Sequence, residues 1–341
     1  MRGGGLLRIG FRKSFPYINP IIYIGMKLNK FLMAVAALAV VGCAEPKDEL
    51  GVQMGESTNV ELSIEIPAID TRAGATSSAL GGLSNVDWSV YDLRYKVAVY
   101  QDEEVAFSET FYAEEGYAGL TQSVALTKGR NYELYVWADF VKIQGEDLHY
   151  TTDDIRNISL KGSYAVNDES RDAYAYYGTF STAEGAQSSV NAVLTRPFAK
   201  LRVVTTDADK LSFDKQIGSI VVSYIDGGVP SSYALVDGSL GEDATVSGVE
   251  AEVVAYADDA ANNECTLLTD YIFAPTTGQG AVKVSLTVKD TDGNVIYTIP
   301  TKELPVEKNK LTSGKGAALT GGTTLNISID GTIGDGGTVD L

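Results

Sequence analysis

The chain has 341 residues, with 45 acidic against 27 basic side chains, one histidine and two cysteines. Its formal net charge of −18 repels nucleic acid and anionic lipid headgroups, and no cluster of basic residues offsets it, so no nucleic-acid partner is expected. Arg2, Arg8, Arg12, Lys13, Lys27 and Lys30 are the only charged residues in the first 42, which leaves 21 basic against 45 acidic residues, a net of −24, for the rest.

Lys27 and Lys30 precede an apolar run over residues 31–41 that closes on Val40-Val41-Gly42-Cys43. A cationic start, a short apolar core and a small residue ahead of a cysteine make a lipoprotein signal peptide over residues 26–42; an ordinary signal peptide with an incidental cysteine is the alternative. The run falls short of the roughly 20 apolar residues that a spanning helix needs. Cys43 is therefore expected to become the lipid-bearing first residue of an exported protein. Residues 1–25 would place a second, half-apolar stretch containing proline ahead of a complete signal. We expect translation to begin at Met26 and residues 1–25 to be a mis-called extension. With Cys43 lipidated, Cys265 has no partner, so the exported chain depends on its cores and not on a disulfide. About 300 residues beyond the lipid site are enough for two domains.

Residues 44–57 are polar and acidic and read as a flexible tether, with Lys47-Asp48-Glu49 similar to a short surface-export signal of some lipoproteins. Val60, Leu62, Ile64 and Ile66 then alternate with Glu61, Ser63 and Glu65, the period of a half-buried strand. A loop of small, polar residues follows over 68–78 and contains Arg72 and Ala73. Strand patterns recur at 93–100, 122–126, 132–141, 188–194, 199–205, 219–225, 232–236, 252–256, 271–274, 282–288 and 295–299. Asp290-Thr291-Asp292-Gly293-Asn294 joins the last two as a hairpin, and 325–329 alternates again. Helical periodicity is weak past residue 43, so the fold is expected to be all-β, built as packed sandwiches. Pro197 is costly within a sheet and marks a boundary between domains at 73–197 and 198–341.

Chemistry-bearing constellations are sparse. His149 stands alone, which removes histidine-based nucleophile systems, and is expected at the surface or rim. No Cys/His set has metal-ligand spacing, and we expect no metal and no cofactor. The Asp290-x-Asp292-x-Asn294 stretch has its glycine misplaced for a calcium loop and no terminal glutamate, so a hairpin turn is the reading. Asp153-Asp154 and Asp258-Asp259 read as solvated turns. Tyr174-Ala175-Tyr176-Tyr177-Gly178 with Trp137 is either a sugar-stacking platform or sheet packing. No catalytic constellation supports an enzyme.

The order of four features resembles the fimbrillin-like major subunits of type V pili, which are lipoprotein precursors. These are the lipobox Val40-Val41-Gly42-Cys43, the lone Arg72 after a strand, the stretch Val193-Leu194-Thr195-Arg196-Pro197-Phe198-Ala199-Lys200-Leu201-Arg202-Val203, and Leu304-Pro305-Val306-Glu307-Lys308-Asn309-Lys310-Leu311-Thr312 ahead of the last strand. The resemblance runs over residues 26–341; Pro197 departs from it. It implies two tandem transthyretin-like β-sandwiches and a prosegment, 43–72, trimmed between Arg72 and Ala73 by an arginine-directed protease. It also implies polymerisation by strand exchange. Val60, Leu62, Ile64 and Ile66 would form the removable strand. Leu325, Ile327 and Ile329, or Ile333 and Val339, would serve as the donor strand of a neighbour. The implied location is the cell surface, with the lipid on Cys43 in the outer membrane and the mature chain in a fimbrium. The implied partners are other copies, related fimbrial subunits and a host or bacterial surface receptor. The competing reading is a lipid-anchored surface protein that binds glycan through exposed aromatics.

Overall fold

The computed structural model describes residues 55–67, 86–113, 119–143, 145–184, 189–211, 216–256, 259, 262–320 and 325–332. Strands dominate them. In the first sandwich, β1 (Ser57–Glu65), β4 (Gly119–Thr127) and β9 (Ser189–Val193) form one sheet in the order β4-β1-β9. It packs against β2 (Tyr91–Gln101), β3 (Glu104–Ala113), β5 (Asn131–Lys142) and β8 (Ala173–Ser181), ordered β3-β2-β5-β8. The facing sides of the two sheets share one apolar core that includes Leu62, Ile64, Leu93, Val97, Leu134 and Leu194.

The second sandwich repeats the arrangement. β10 (Phe198–Thr205), β16 (Cys265–Phe273), β19 (Lys310–Gly316) and β20 (Asn326–Thr332) run in the order β16-β10-β19-β20. Opposite lie β11 (Ile217–Ile225), β15 (Val249–Glu252), β17 (Gly280–Asp290) and β18 (Val295–Val306), ordered β15-β11-β17-β18. Leu201, Val203, Ile220, Val222, Leu286 and Leu304 contribute to its core. Both prolines of β18, Pro300 and Pro305, sit on an edge strand, where the missing N–H breaks no central ladder. The short strands β6 (Tyr150–Thr151), β7 (Asn157–Leu160) and β13 (Ser232–Ala234) make a sheet ordered β13-β7-β6, and β12 (Val229–Pro230) pairs with β14 (Asp243–Ala244). In the first of these, β13 from the second half of the chain pairs with β7 from the first.

Most expected strands are present; the short β6, β7, β12 and β14 were not anticipated, and the longer strands need these corrections. The strand expected at 252–256 is β15, which ends at Glu252. The exposed β3 was missed because Val105 and Tyr112 sit on its open side and obscure the alternation. The tyrosine-rich β8 and the small, polar β19 carry little period-two signal and were also missed. The Asp290 turn is a hairpin as expected. Its carboxylate accepts from Asp292 N at 3.0 Å and Asn294 N at 2.8 Å, so the aspartate holds its own turn.

A third core joins the sandwiches. Trp137 on the outer side of β5 meets Tyr150 at 5.3 Å between ring centroids, and Phe198 stacks on Phe273 at 4.8 Å. Consequently β5 is buried on both faces, and its middle, Leu134 to Ala138, is apolar at every position. β16 is likewise buried on both faces, with Leu268 and Ile272 in the second core and Tyr271 and Phe273 in the junction.

Beside this aromatic core lies a short 3-10 turn, Glu169–Arg171, capped by the Asp168 carboxylate, which accepts from Ser170 N. Three charged residues of this segment grip three others. Glu169 accepts from Lys200 Nζ at 2.8 Å, Tyr256 at 2.9 Å and Tyr271 at 2.5 Å. Arg171 pairs with Asp270, whose carboxylate also accepts from Tyr164 at 2.9 Å and Tyr224 at 2.5 Å. Asp172 takes Arg196 in a fork, Nε at 2.8 Å and Nη2 at 2.7 Å, and Arg196 reaches Tyr174 as well. Arg171 and Arg196 are almost wholly buried. Burial disfavours the charged form of Arg196, but the Asp172 carboxylate outweighs it and holds the guanidinium protonated. Burial would likewise raise the Glu169 carboxyl, yet Lys200 and the tyrosine hydroxyls hold it below the usual range.

His149, expected at the surface or rim, lies at the rim, tucked against the 3-10 turn. Its ring is half-buried, with Nε2 at 2.8 Å from Ser170 Oγ. That hydroxyl donates to Asp168, so its lone pair is free to accept from the histidine Nε2–H. Burial lowers its pKa to about 4, against the pull of Asp168.

Two predictions follow from this junction. Arg196→Met leaves the Asp172 carboxylate buried without its partner and is expected to cost about 3–5 kcal/mol, read as a lower midpoint in urea denaturation; an unchanged midpoint would remove the pair from the list of structural determinants. The histidine ties stability to pH: its proton affinity is lower in the folded state, so protons favour the unfolded chain as pH falls from 6.5 towards 4. At pH 5 this loss is on the order of 2 kcal/mol. His149→Gln should therefore melt with a shallower decline between pH 7 and pH 5 than the wild type, and parallel curves would refute the assignment.

Candidate functional site

The segment that precedes Arg72 contributes one described strand to the fold, and that strand is central. Each residue of β1 from Ser57 to Glu65 pairs antiparallel with β4, and residues 61–65 also pair parallel with residues 189–193 of β9. Val60, Leu62, Ile64 and Ile66 are 1%, 0%, 2% and 3% exposed, all in the first core. Glu61 and Glu65 point outward into solvent. At the end of the strand Glu65 O accepts from Leu194 N at 2.8 Å. Without β1, the sheet would be two separate strands, β4 and β9, with an apolar trough between them.

The carboxyl-terminal strand is placed differently. β20 pairs only with β19, antiparallel, at the edge of its sheet. Leu325, just before it, packs partly against the second core, whereas Ile327 is 41% exposed. The apolar face of β20 is therefore incompletely covered within its own chain. Cys43, Arg72, Ala73, Ile333 and Val339 lie outside the described residues.

The two motif stretches have specific structural duties. Leu194 fills the first core, Arg196 fixes Asp172, Phe198 enters the junction, Ala199 and Leu201 enter the second core, and Lys200 reaches Glu169. Pro197 lies between β9 and β10, where the chain passes from one sheet to another, and its carbonyl accepts from Ala274 N at 3.1 Å. In the later stretch, Leu304 and Val306 are buried, and Asn309 takes a left-handed backbone (φ 58°) that asparagine tolerates. Its N–H reaches Phe198 O at 2.7 Å, and Lys308 reaches the Tyr233 hydroxyl at 2.8 Å.

The aromatic platform does not assemble at the surface. Trp137 is 0% and Tyr174 2% exposed. Tyr177 lies against Tyr135 at 5.0 Å, and both donate to Glu133, so these rings are engaged in packing. Among the described residues no group of three or more His, Cys, Asp or Glu side chains is arranged to hold a metal. Sequence reasoning missed Glu169, Asp172 and Asp270 altogether. Asp172 is 24 residues from Arg196 and Asp270 is 99 from Arg171, distances that no local pattern encodes. The one available signal was the presence of Arg196 and Lys200 in otherwise apolar surroundings.

No curated protein matches the chain. Solved structures do. A Bacteroides ovatus protein, provisionally described as a cell adhesion protein, is 14% identical, covers 81% of this chain and 97% of its own, and has a TM-score of 0.45. The tip fimbrial protein Mfa3 of Porphyromonas gingivalis is 13% identical, with 80% and 99% covered and a TM-score of 0.41. The fimbrial anchor protein Mfa2 of the same organism is 13% identical, with 71% and 82% covered and a TM-score of 0.35. A family model matches residues 52–335, a stretch that spans every described residue, and the protein belongs to that family, DUF6562, a family of unknown function.

Proposed function

We propose that the chain is a structural subunit of a cell-surface fimbria of the type V class, exported as a lipoprotein through Cys43 and supporting adhesion. Cleavage between Arg72 and Ala73 removes the prosegment 43–72 with its lipid. The mature chain, with sandwiches at 73–197 and 198–341, then polymerises when a neighbour's carboxyl-terminal strand replaces β1. The observation that carries this reading is the position of β1. A strand donated by the segment ahead of Arg72 lies in the middle of a sheet and fills its core with four apolar knobs.

The energetics support a lasting but exchangeable contact. Four buried aliphatic side chains stabilise by roughly 6–12 kcal/mol before ordering costs, at about 1.5–3 kcal/mol each. An emptied trough flanked by unpaired strand edges is a template for β-augmentation. The tail offers a matching period in Leu325, Ile327, Ile329 and Ile333, with Gly331 breaking the alternation. Donor and acceptor are different surfaces, so repetition gives an open filament and not a closed ring.

Two experiments test the reading. Arg72→Ala should give a longer, lipid-bound chain that runs as a monomer, whereas wild type from cells begins at Ala73 and forms ladders in detergent without heating. Polymers recovered from the variant with residues 43–72 still attached would overturn the activation step. Ile333→Asp with Val339→Asp should spare β20 while spoiling the end of the donor. Mixed with wild type, this double variant is expected to cap fibres and shorten them in electron micrographs; fibres of unchanged length with the variant incorporated throughout would exclude the last nine residues as donor.

A further inference from the structure

The β1 position and β20 lie in different sandwiches, yet a short, fully engaged path connects them. Glu65 O at the end of β1 holds Leu194 N, and Leu194 is itself buried in the first core. The next residue, Thr195, exchanges two backbone hydrogen bonds with Ala175 of β8, at 2.8 and 3.1 Å. Arg196 is forked onto Asp172, and Phe198 is locked among the junction rings. β10 starts there, and it pairs with β19, the strand on which β20 rests. A second path returns through the turn: Asp172 leads into β8, while Glu169 and Arg171 hold β10 and β16 through Lys200 and Asp270. Two sandwiches joined by a polar or loose interface move independently by default. Here every residue from 194 to 201 apart from Pro197 and Thr195 has its side chain fixed in a core or an ion pair, and those two are held through their backbones.

We propose that occupancy of the β1 position controls how firmly β20 is held, because residues 194–200 and the turn at 168–172 make both sandwiches one cooperative unit. An unfilled β1 position then loosens the far sheet as well as its own, and the strand at that sheet's edge, β20, is released most readily. This goes beyond the exchange reading by linking the acceptor and donor ends of one subunit. The coupling itself can be measured on the uncut monomer, so its failure is distinct from a failure to polymerise.

Amide hydrogen exchange on the full-length chain tests it. Ile64→Ala empties part of the core under β1 without touching the junction. Cooperative coupling predicts that amides of β10, β16 and β19 exchange faster by the same factor as those of β4 and β9, roughly thirtyfold or more for such a cavity. Acceleration confined to β4, β9 and their neighbours, with β10, β16 and β19 unchanged, would overturn the proposal. Should Ile64→Ala fail to fold, Ile64→Val gives the same comparison at about two- to tenfold. Coupling is reciprocal, so Val222→Ala in the second core must accelerate exchange in β1 and β4; protection there equal to wild type would equally overturn it.

Discussion

The buried guanidinium of Arg196 and its neighbour Arg171 constrain this molecule more than any other contact. An ionised group cannot remain in an apolar junction without a counter-charge, and a forked pair with a carboxylate tolerates little displacement. Apolar packing alone would let the sandwiches slide over one another, since one aromatic contact substitutes readily for another. The fork between Arg196 and Asp172 and the pairing of Arg171 with Asp270, completed by the hydroxyls of Tyr164, Tyr174 and Tyr224, remove that freedom. The aromatic core excludes water from the same region, which strengthens these pairs and raises the penalty for breaking them.

That constraint gives the β1 position its consequences. A central strand contributes hydrogen bonds on both sides as well as core side chains, so its loss separates β4 from β9 and opens the core at once. In a chain with a loose junction such damage would stay local. Here β9 ends three residues before Arg196 and seven before Lys200, both paired in the junction. Disorder in β9 therefore reaches groups that cannot move without exposing buried charge.

The fold class was legible because alternation is strong wherever a strand has one wet face, as in Val60, Leu62 and Ile64 against Glu61, Ser63 and Glu65. It failed where both faces are dry or both are wet. Alternation is blurred in β5 and β16 because a second core covers their outer sides, and β3 was lost because it is open on most of its length. The β1 strand could be named residue by residue, since its pattern is local. The junction could not. Arg196 and Lys200 were visible as part of a motif, but Asp172, Glu169 and Asp270 are brought to them by topology, and nothing in the spacing of charges in an acidic chain distinguishes these three from the rest. The partner of His149 was hidden for the same reason: it lies in the turn at Glu169–Arg171, which no periodicity announces.

β1 and β20 differ in how well the fold uses them, and that difference sets a direction. Leu62 is wholly buried between two strands, whereas Ile327 keeps 41% of its surface in solvent and pairs on one side only. Moving an isoleucine from the second environment to the first stabilises by on the order of 1–2 kcal/mol from surface burial alone, and the second row of backbone hydrogen bonds adds to it. On the exchange reading, a tail parked at an edge is thus the weaker arrangement and the same tail inside a neighbour's trough is the stronger one. The gradient exists only while that trough is empty. On that same reading β1 fills the trough within the uncut precursor, which then has no acceptor to offer, and the drive to assemble would arise with the loss of a single strand.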